Sequence, residues 1–186
     1  MIDISAAFAA TYAQAREKFR ATALARGLDV VTHTHPTARG AENEELAADL
    51  ALFGDPQASA LLLLTSAMHG VEGFCGSGCQ VALLQDDAIA AAIERSGVTV
   101  LFYHAVNPYG FSHLRRVNEG NVDVNRNFRD FSRPQPPNAA YAQVHAAVVP
   151  ATWPPSAENT ATLGQYVAQY GAARMQVRLV HTRRCV

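Results

Sequence analysis

Residues 58–65 read ASALLLLT, and residues 66–72, which follow directly, read SAMHGVE. The first segment is a continuous apolar run without a charged side chain, which is typical of a β-strand covered on both faces. His69 and Glu72 come just after it, and in open α/β sheets ligand sites lie beyond the carboxyl ends of the strands. The stretch therefore predicts a buried strand that carries two potential metal ligands at its end.

The segments on either side of this strand predict the rest of an α/β fold. A strand, a helix and a second strand in this order form a right-handed crossover with a parallel strand pair. We therefore expect a single domain over residues 1–186, built on a mostly parallel, mixed sheet with helices on both faces. The predicted helices are 5–26, 76–95, 141–149 and 158–175, and the predicted strands are 28–35 and 45–53, pairing antiparallel, then 58–65 and 98–104.

Composition excludes several classes of protein. The chain has 186 residues, of which 49% are hydrophobic and 17% charged, with a net charge of −1. This is a globular composition rather than a disordered one, and it offers no basic surface for nucleic acid or for an anionic membrane. No apolar run is long enough to span a bilayer, and Asp3 stands where a signal peptide carries a basic residue. We expect a cytoplasmic protein.

The three cysteines, Cys75, Cys79 and Cys185, do not predict a disulfide framework. Their number is odd and no secretion signal precedes them. Cys75 and Cys79 are four residues apart, which is a helical spacing, and no second pair of metal-binding type accompanies them. We expect both to be small buried apolar residues.

The tetrapeptide His69-Gly70-Val71-Glu72 is the first candidate for chemistry. Imidazole and carboxylate are both good zinc ligands, and three residues apart they can reach one ion from a tight turn that leads into a helix. Two ligands do not complete a zinc site, so a third is needed. The alternative interpretation is an ordinary glutamate near a helix start.

A long polar stretch, residues 107–137, is the second candidate. Loops of that length in compact domains are usually functional. The planar fork of arginine matches a carboxylate with two parallel hydrogen bonds, so a loop rich in arginine and asparagine suits an anionic substrate group. The alternative is a solvated loop whose arginines pair with Asp123 or Glu119.

Taken in order, these motifs resemble the zinc metallocarboxypeptidase family, the carboxypeptidase A-like peptidases. The HxxE after a strand is followed by Asn107-Pro108-Tyr109-Gly110-Phe111, by an arginine, and by Val122-Asp123-Val124-Asn125-Arg126-Asn127-Phe128. The resemblance covers about a third of the chain and is nearest to a poorly characterised bacterial branch of the family. Tyr109 departs from the family pattern, since many members have aspartate there.

The resemblance implies a role for each matched residue. His69 and Glu72 match the first two zinc ligands, and Asp123 matches the carboxylate that holds the ligating histidine by its other ring nitrogen. Arg116 matches the arginine that stabilises the oxyanion, with Arg115 as its competitor. The pair that grips the terminal carboxylate of the substrate corresponds to Asn125 and Arg126. The implied reaction is Zn²⁺-dependent hydrolysis of a small peptide or acyl-amino acid.

Two parts of the family pattern have no clear match. The general-base glutamate lies in a part of the fold that this chain does not have, so the fold is expected to be incomplete at the C-terminus. His181 is the only candidate for the third zinc ligand, and its flanking arginines are unusual. The rival interpretation is a truncated or frame-shifted terminus.

Three functions follow from these observations. The first is an active carboxypeptidase, or a deacylase of N-acyl amino acids. The second is a non-catalytic module that keeps Asn125 and Arg126 for binding a carboxylate or peptide. The third is a truncated relic with an unpaired strand edge and an exposed apolar face, which would aggregate.

Overall fold

The computed structural model describes residues 4–128, 130–134 and 139–176, and it forms two compact units, residues 1–125 and 126–186. The first unit opens with a 3₁₀ turn at Ile4–Ala7. The elements that follow in the first unit are α1 (Tyr12–Ala25), β1 (Val30–Arg39), β2 (Glu45–Phe53), β3 (Ala60–Thr65), α2 (Gly73–Gln85), α3 (Asp87–Ser96), β4 (Val98–His104) and α4 (Pro108–Ser112).

The four strands form one mixed sheet in the order β1-β2-β4-β3. β1 pairs antiparallel with β2, β2 pairs antiparallel with β4, and β3 pairs parallel with β4. The predicted α/β class, the hairpin of the first two strands and the parallel pair are confirmed. Antiparallel pairings nevertheless outnumber parallel ones among the described strands, because the crossover through α2 and α3 joins only β3 and β4.

The strand β3 lies at the edge of this sheet, and its side chains are more exposed than its sequence predicts. Leu61, Leu62 and Leu63 are 60%, 49% and 51% exposed. The prediction that this run is covered on both faces is wrong for the part of the chain that the structure describes. An apolar run of this kind indicates which side chains a strand carries but not how many neighbours the strand has.

The core lies between one face of the sheet and the helices α1, α2 and α3. Its members are apolar side chains at alternate positions of the strands and at helical spacing on the helices: Phe19, Ala23, Ala51, Phe53, Val81, Leu84, Ala90, Val100 and Phe102. A smaller cluster around Phe111 joins α1 and α2 to α4. The loops that follow β3 and β4 therefore begin from strands that are packed into these two clusters.

An acidic side chain, Asp49, is buried within this framework. It is 0% exposed and accepts hydrogen bonds from Arg16 Nε at 2.7 Å, Arg20 Nη1 at 2.7 Å and Thr32 Oγ1 at 2.6 Å. Burial alone would raise the pKa of the Asp49 carboxyl, but the hydrogen bonds from Arg16 and Thr32 outweigh it and hold the pKa below its ordinary value. The network ties α1 to β1 and β2.

A buried histidine, His104, ends β4. Its ring stacks on Phe19 with a centroid separation of 4.8 Å, and its Nε2 lies 2.9 Å from Ser77 Oγ. The side chain is fully buried, and this burial lowers the pKa of His104 to about 4 from an ordinary value of 6.5. His104 is therefore neutral in the folded protein at physiological pH.

This low pKa makes the stability depend on pH. The unfolded chain protonates His104 below about pH 6.5, whereas the folded chain does so only near pH 4, so the unfolded state gains protons first as the pH falls. We expect the free energy of unfolding to decrease by about 3 kcal/mol between pH 7 and pH 4 from this group. Urea unfolding at both pH values measures it, with His104→Gln as the control. An equal decrease in the variant would contradict the assignment to His104.

The helix α2 presents two of the three cysteines to solvent. Cys75 and Cys79 are both exposed and neither forms a disulfide. The prediction that they are buried apolar residues is wrong, because the buried positions of this helix are Gly73, Ser77, Gly78, Gln80, Val81 and Leu84, on the opposite face. Cys185 lies outside the described residues.

The second unit, taken by itself, contains the short helices α5 (Ala139–Ala142) and α6 (His145–Val148) and the longer α7 (Ala157–Tyr170). Ser156 begins α7 with a capping box, since its hydroxyl accepts from Asn159 N and its own N–H donates to Asn159 Oδ1. Across the described parts of both units, the helices are too short or too polar to cross a bilayer.

Candidate functional site

The loops that follow β3 and β4 run side by side beyond the sheet. Ser66 N donates to Tyr103 O at 3.1 Å, Val106 N donates to Ser66 O at 3.0 Å, and Asn107 N donates to Ala67 O at 3.0 Å. These bonds extend the parallel pairing past the ends of the strands. They bring the segment that contains His69 next to the segment that begins at Asn107, at the edge where α/β sheets carry their ligand sites.

Gly70 is the point of closest approach between the two loops. Its N–H donates to Arg115 O at 3.0 Å, and a Cβ at this position would lie 1.7 Å from Gly110 O and 2.5 Å from Arg115 O. Both neighbours are backbone atoms, so neither could move aside by a change of rotamer. Only glycine fits at position 70 in this arrangement.

His69 and Glu72 converge. Nδ1 of His69 lies 3.5 Å from Oε1 of Glu72, and the two side chains are 11% and 67% exposed. Two ligands of a tetrahedral zinc ion, with bonds of about 2.0–2.2 Å, are separated by about 3.4 Å. The spacing of these two atoms is compatible with a shared zinc ion.

Asp123 holds His69 from its other side. Asp123 Oδ1 lies 2.9 Å from His69 Nε2, and Asp123 is 2% exposed. Because an ionised carboxylate can only accept, Nε2 donates in this bond, and Nδ1 is the ring nitrogen that faces Glu72. Burial alone would raise the pKa of the Asp123 carboxyl, but hydrogen bonds from His69 and Arg116 hold it below its ordinary value.

The structure separates Arg115 from Arg116. Arg116 Nε donates to Asp123 Oδ2 at 2.8 Å, and its side chain is 39% exposed. Arg115 instead donates from Nη2 to Asn121 Oδ1 at 3.3 Å, away from this pair. Arg116 is therefore the arginine that contacts the His69–Asp123 pair.

Asn125 and Arg126 lie on a 3₁₀ turn, Val124–Arg126, that follows Asp123 directly. Both residues are exposed. Asn125 ends the first compact unit and Arg126 begins the second. Their assignment to substrate binding stays a prediction.

Comparison with known proteins places the chain in a family. Residues 8–181 match a family model described as "Protein of unknown function (DUF2817)". The chain belongs to the DUF2817 family. No curated protein matches it in sequence.

Several solved structures resemble parts of this DUF2817 chain. They include glutaminyl cyclases of Fimbriiglobus ruber (TM-score 0.35, 14% identity, 49% of this chain and 36% of that one) and Porphyromonas gingivalis (0.34, 14%, 59% and 48%). A Zn-dependent exopeptidase from Parabacteroides distasonis matches with a TM-score of 0.33 at 16% identity, over 74% of this chain and 48% of that one. The DUF2817 chain thus spans less than half the length of each of these three chains. At this level of similarity no activity is assigned, and the carboxypeptidase A-like identity is not supported by these structures.

The DUF2817 chain brings together the two side chains that were predicted as zinc ligands, His69 and Glu72. Within the described residues, no group of three His, Cys, Asp or Glu side chains is arranged to hold a metal ion. His181, the predicted third ligand, lies outside those residues. The described part of the site is therefore a pair of donors, His69 and Glu72, with Asp123 and Arg116 behind the histidine.

Two further residues of the DUF2817 chain, Asn107 and Gly110, position this loop, although the motif pattern alone does not indicate that role. Asn107 begins α4 and accepts from Gly110 N through Oδ1 at 2.9 Å, and a Cβ on Gly110 would lie 2.4 Å from Asn107 Nδ2. The asparagine and glycine of the NPYGF motif thus shape the loop against which Gly70 packs. The signal was present as an asparagine before a proline at a helix start.

Proposed function

We propose that this chain belongs to a zinc-dependent hydrolase that cleaves a peptide or amide bond near a free carboxylate. The observation that carries the proposal is the arrangement around His69. Its Nδ1 lies 3.5 Å from Glu72 Oε1, while its Nε2 is held at 2.9 Å by the buried Asp123. A histidine that is held by a carboxylate at one ring nitrogen and has a second potential ligand beside the other is the arrangement found at zinc sites.

The donor set fits zinc. Neutral imidazole nitrogen and carboxylate oxygen are ordinary zinc ligands, and Glu72 is exposed enough to rotate onto an ion without loss of packing. Zinc, when bound, lowers the pKa of a coordinated water to near 7 and polarises a carbonyl. A third protein ligand completes such a site, and His181 remains its candidate.

Arg116 is suited to stabilising negative charge at the reacting carbonyl. Asp123 engages only Nε of its guanidinium, so within the described residues both Nη groups are left for another acceptor. The ion pair fixes the plane of the guanidinium, and donors that are fixed in advance stabilise a developing oxyanion without reorganisation. Asp123 thereby orients both the zinc ligand His69 and the oxyanion residue Arg116.

Asn125 and Arg126 are proposed to bind the terminal carboxylate of the substrate. Both are exposed, and they follow Asp123 directly along the chain. An arginine fork with a neighbouring amide matches a carboxylate closely. N-acyl amino acids share this carboxylate with peptides, so a deacylase is included in the proposal.

The proposal predicts zinc binding and hydrolysis that depend on Asp123. We expect the zinc-loaded protein to hydrolyse an N-acylated dipeptide, and Asp123→Asn to lower zinc affinity by about 10- to 100-fold. Asp130→Asn is the matched control, since Asp130 pairs with Arg133 on an exposed surface. Calorimetric zinc titration and a hydrolysis assay measure the two effects.

The outcomes separate the candidate functions. Equal zinc affinity in the wild type, Asp123→Asn and Asp130→Asn would contradict the assignment of the zinc site to His69 and Glu72. Zinc binding that depends on Asp123, without turnover of any N-acylated dipeptide, would overturn the enzyme in favour of a carboxylate-binding module. In that case binding of a C-terminal peptide should be lost in Arg126→Ala and retained when Arg133, which is exposed, is replaced instead.

A further inference from the structure

We propose that Cys75 and Cys79 form a binding site for a soft, thiophilic metal cation, separate from the His69–Glu72 pair. Both thiols are exposed and neither is in a disulfide. They lie four residues apart on α2, so their side chains project from the same face of the helix. The site is independent of the proposed hydrolytic function.

The two thiols lie on the same exposed side of α2. Partial burial and the neighbouring Cys75, through a hydrogen bond and its charge, raise the pKa of the Cys79 thiol. Two adjacent thiolates repel each other without a counter-ion, and this repulsion is what a bound cation would relieve. A cation bound between the two sulfurs therefore provides the attractive charge interaction that the metal-free pair of thiolates lacks.

The backbone that carries the pair is held in place. Between the two cysteines in the sequence, a Cβ on Gly76 would lie 3.0 Å from Ser66 Cβ, and a Cβ on Gly78 would lie 2.4 Å from the Phe8 ring. At both of these glycines the helix is packed against neighbouring residues. The separation of the two sulfurs is therefore set mainly by their own rotamers.

Helical spacing favours a bridging ion over a disulfide. Side chains at i and i+4 have Cβ atoms about 5–6 Å apart. A disulfide requires a Cβ separation of about 3.5–4.5 Å, so forming one would distort the helix by about 1 Å or more. An ion inserted between the sulfurs adds two bonds of about 2.3 Å each and spans the helical distance without distortion.

The local chemistry favours a soft cation. Thiolates select soft ions such as Cu(I) over hard ones. Cys75 lies in the first turn of α2, and Cys79 lies about one turn further along the same helix. Binding of a divalent ion forms two metal–sulfur bonds and releases two protons, one from each thiol.

Cadmium titration in a Cys185→Ser background tests the site, because only two thiols then remain in the chain. We expect a thiolate-to-metal charge-transfer absorption that corresponds to one Cd²⁺ bound by the two thiols, whatever else binds at His69 and Glu72. Cys75→Ser and Cys79→Ser should each weaken binding by roughly 100-fold, since each removes half of a two-donor site. A His69→Ala variant should keep the absorption, which separates this site from the proposed zinc site.

The matched control moves one thiol along the same helix. Cys79→Ser combined with Gln85→Cys keeps two exposed thiols but places them ten residues apart, about 15 Å along the axis. The absorption should be lost in this variant. Absorption that persists in it or in either single serine variant, or that is missing from the protein with both thiols, would overturn the proposal.

Discussion

Replacement of Asp49 by asparagine is expected to lower the free energy of unfolding by about 3 kcal/mol. Asp49 is 0% exposed and neutralises both Arg16 and Arg20, whose side chains are 15% and 36% exposed. Removing one partner of a buried ion pair leaves an uncompensated charge and costs about 3–5 kcal/mol. The lower end applies here because the Arg20 guanidinium reaches water. Urea or thermal unfolding measures the change.

Glu45 provides the control for Asp49. It pairs with the same arginine, Arg16, at 3.0 Å, but its side chain is 50% exposed. Exposed pairs contribute about 0–1 kcal/mol, so Glu45→Gln should change stability by less than 1 kcal/mol. Equal effects of the two substitutions would show that burial does not determine the strength of this network.

Asp49 and His104 lose their contributions to stability in different pH ranges. The Asp49 carboxyl has a lowered pKa, so its contribution is complete above the pKa of an unfolded aspartate, about 3.9, and is lost as the pH falls below it. His104 loses its contribution above that range, between about pH 6.5 and pH 4. Acid unfolding should therefore show two components, of which His104→Gln removes the upper one.

The sequence predicted most elements, and its errors have identifiable causes. β2 and β4 have the bounds that the sequence predicts, and a glycine marks one end of each: Gly54 follows β2 directly and Gly97 directly precedes β4. The predicted helix over residues 5–26 is divided, because the Thr11 hydroxyl accepts from Gln14 N and begins a new helix there. Asp86 divides the predicted helix 76–95 in the same way, accepting from Ala88 N.

The candidate site was predictable only in part. The order of the motifs singled out His69, Glu72 and Asp123, and the structure brings all three together. Spacing could not distinguish Arg115 from Arg116, since neighbouring side chains differ only in direction, and that direction depends on the contacts with Asn121 and Asp123. The sequence does not predict the role of Asp49, because a single acidic residue within an apolar strand does not indicate its partners on other elements.

Gly70→Ala is expected to weaken zinc binding by more than about 100-fold and to destabilise the fold by about 3 kcal/mol. The new methyl group would lie 1.7 Å from Gly110 O, so the two loops must separate by more than about 1 Å. Forced overpacking costs about 1–3 kcal/mol, and backbone neighbours place this site at the upper end. A displacement of about 1 Å at a site is enough for a 100-fold loss of function.

The loss of zinc affinity in Gly70→Ala follows from where the displaced loops lead. Gly70 is adjacent to His69 and two residues before Glu72, while the opposing loop continues from Arg115 into Arg116. Separating the loops therefore pulls His69 from Asp123 and alters its angle toward Glu72. Zinc titration by calorimetry and urea unfolding measure the two effects on the same sample.

Gly164→Ala is the matched control for Gly70→Ala, and the comparison also shows how to interpret a Gly70→Ala variant that has no effect. Gly164 lies within α7, and nothing lies within 4 Å of a Cβ built on it. Alanine there should leave zinc binding unchanged and stabilise the helix by up to about 1 kcal/mol. If Gly70→Ala behaved like Gly164→Ala, the two loops would not be packed in contact. The convergence of His69, Glu72 and Asp123 would then lose its structural basis, because that contact is what aligns the three side chains.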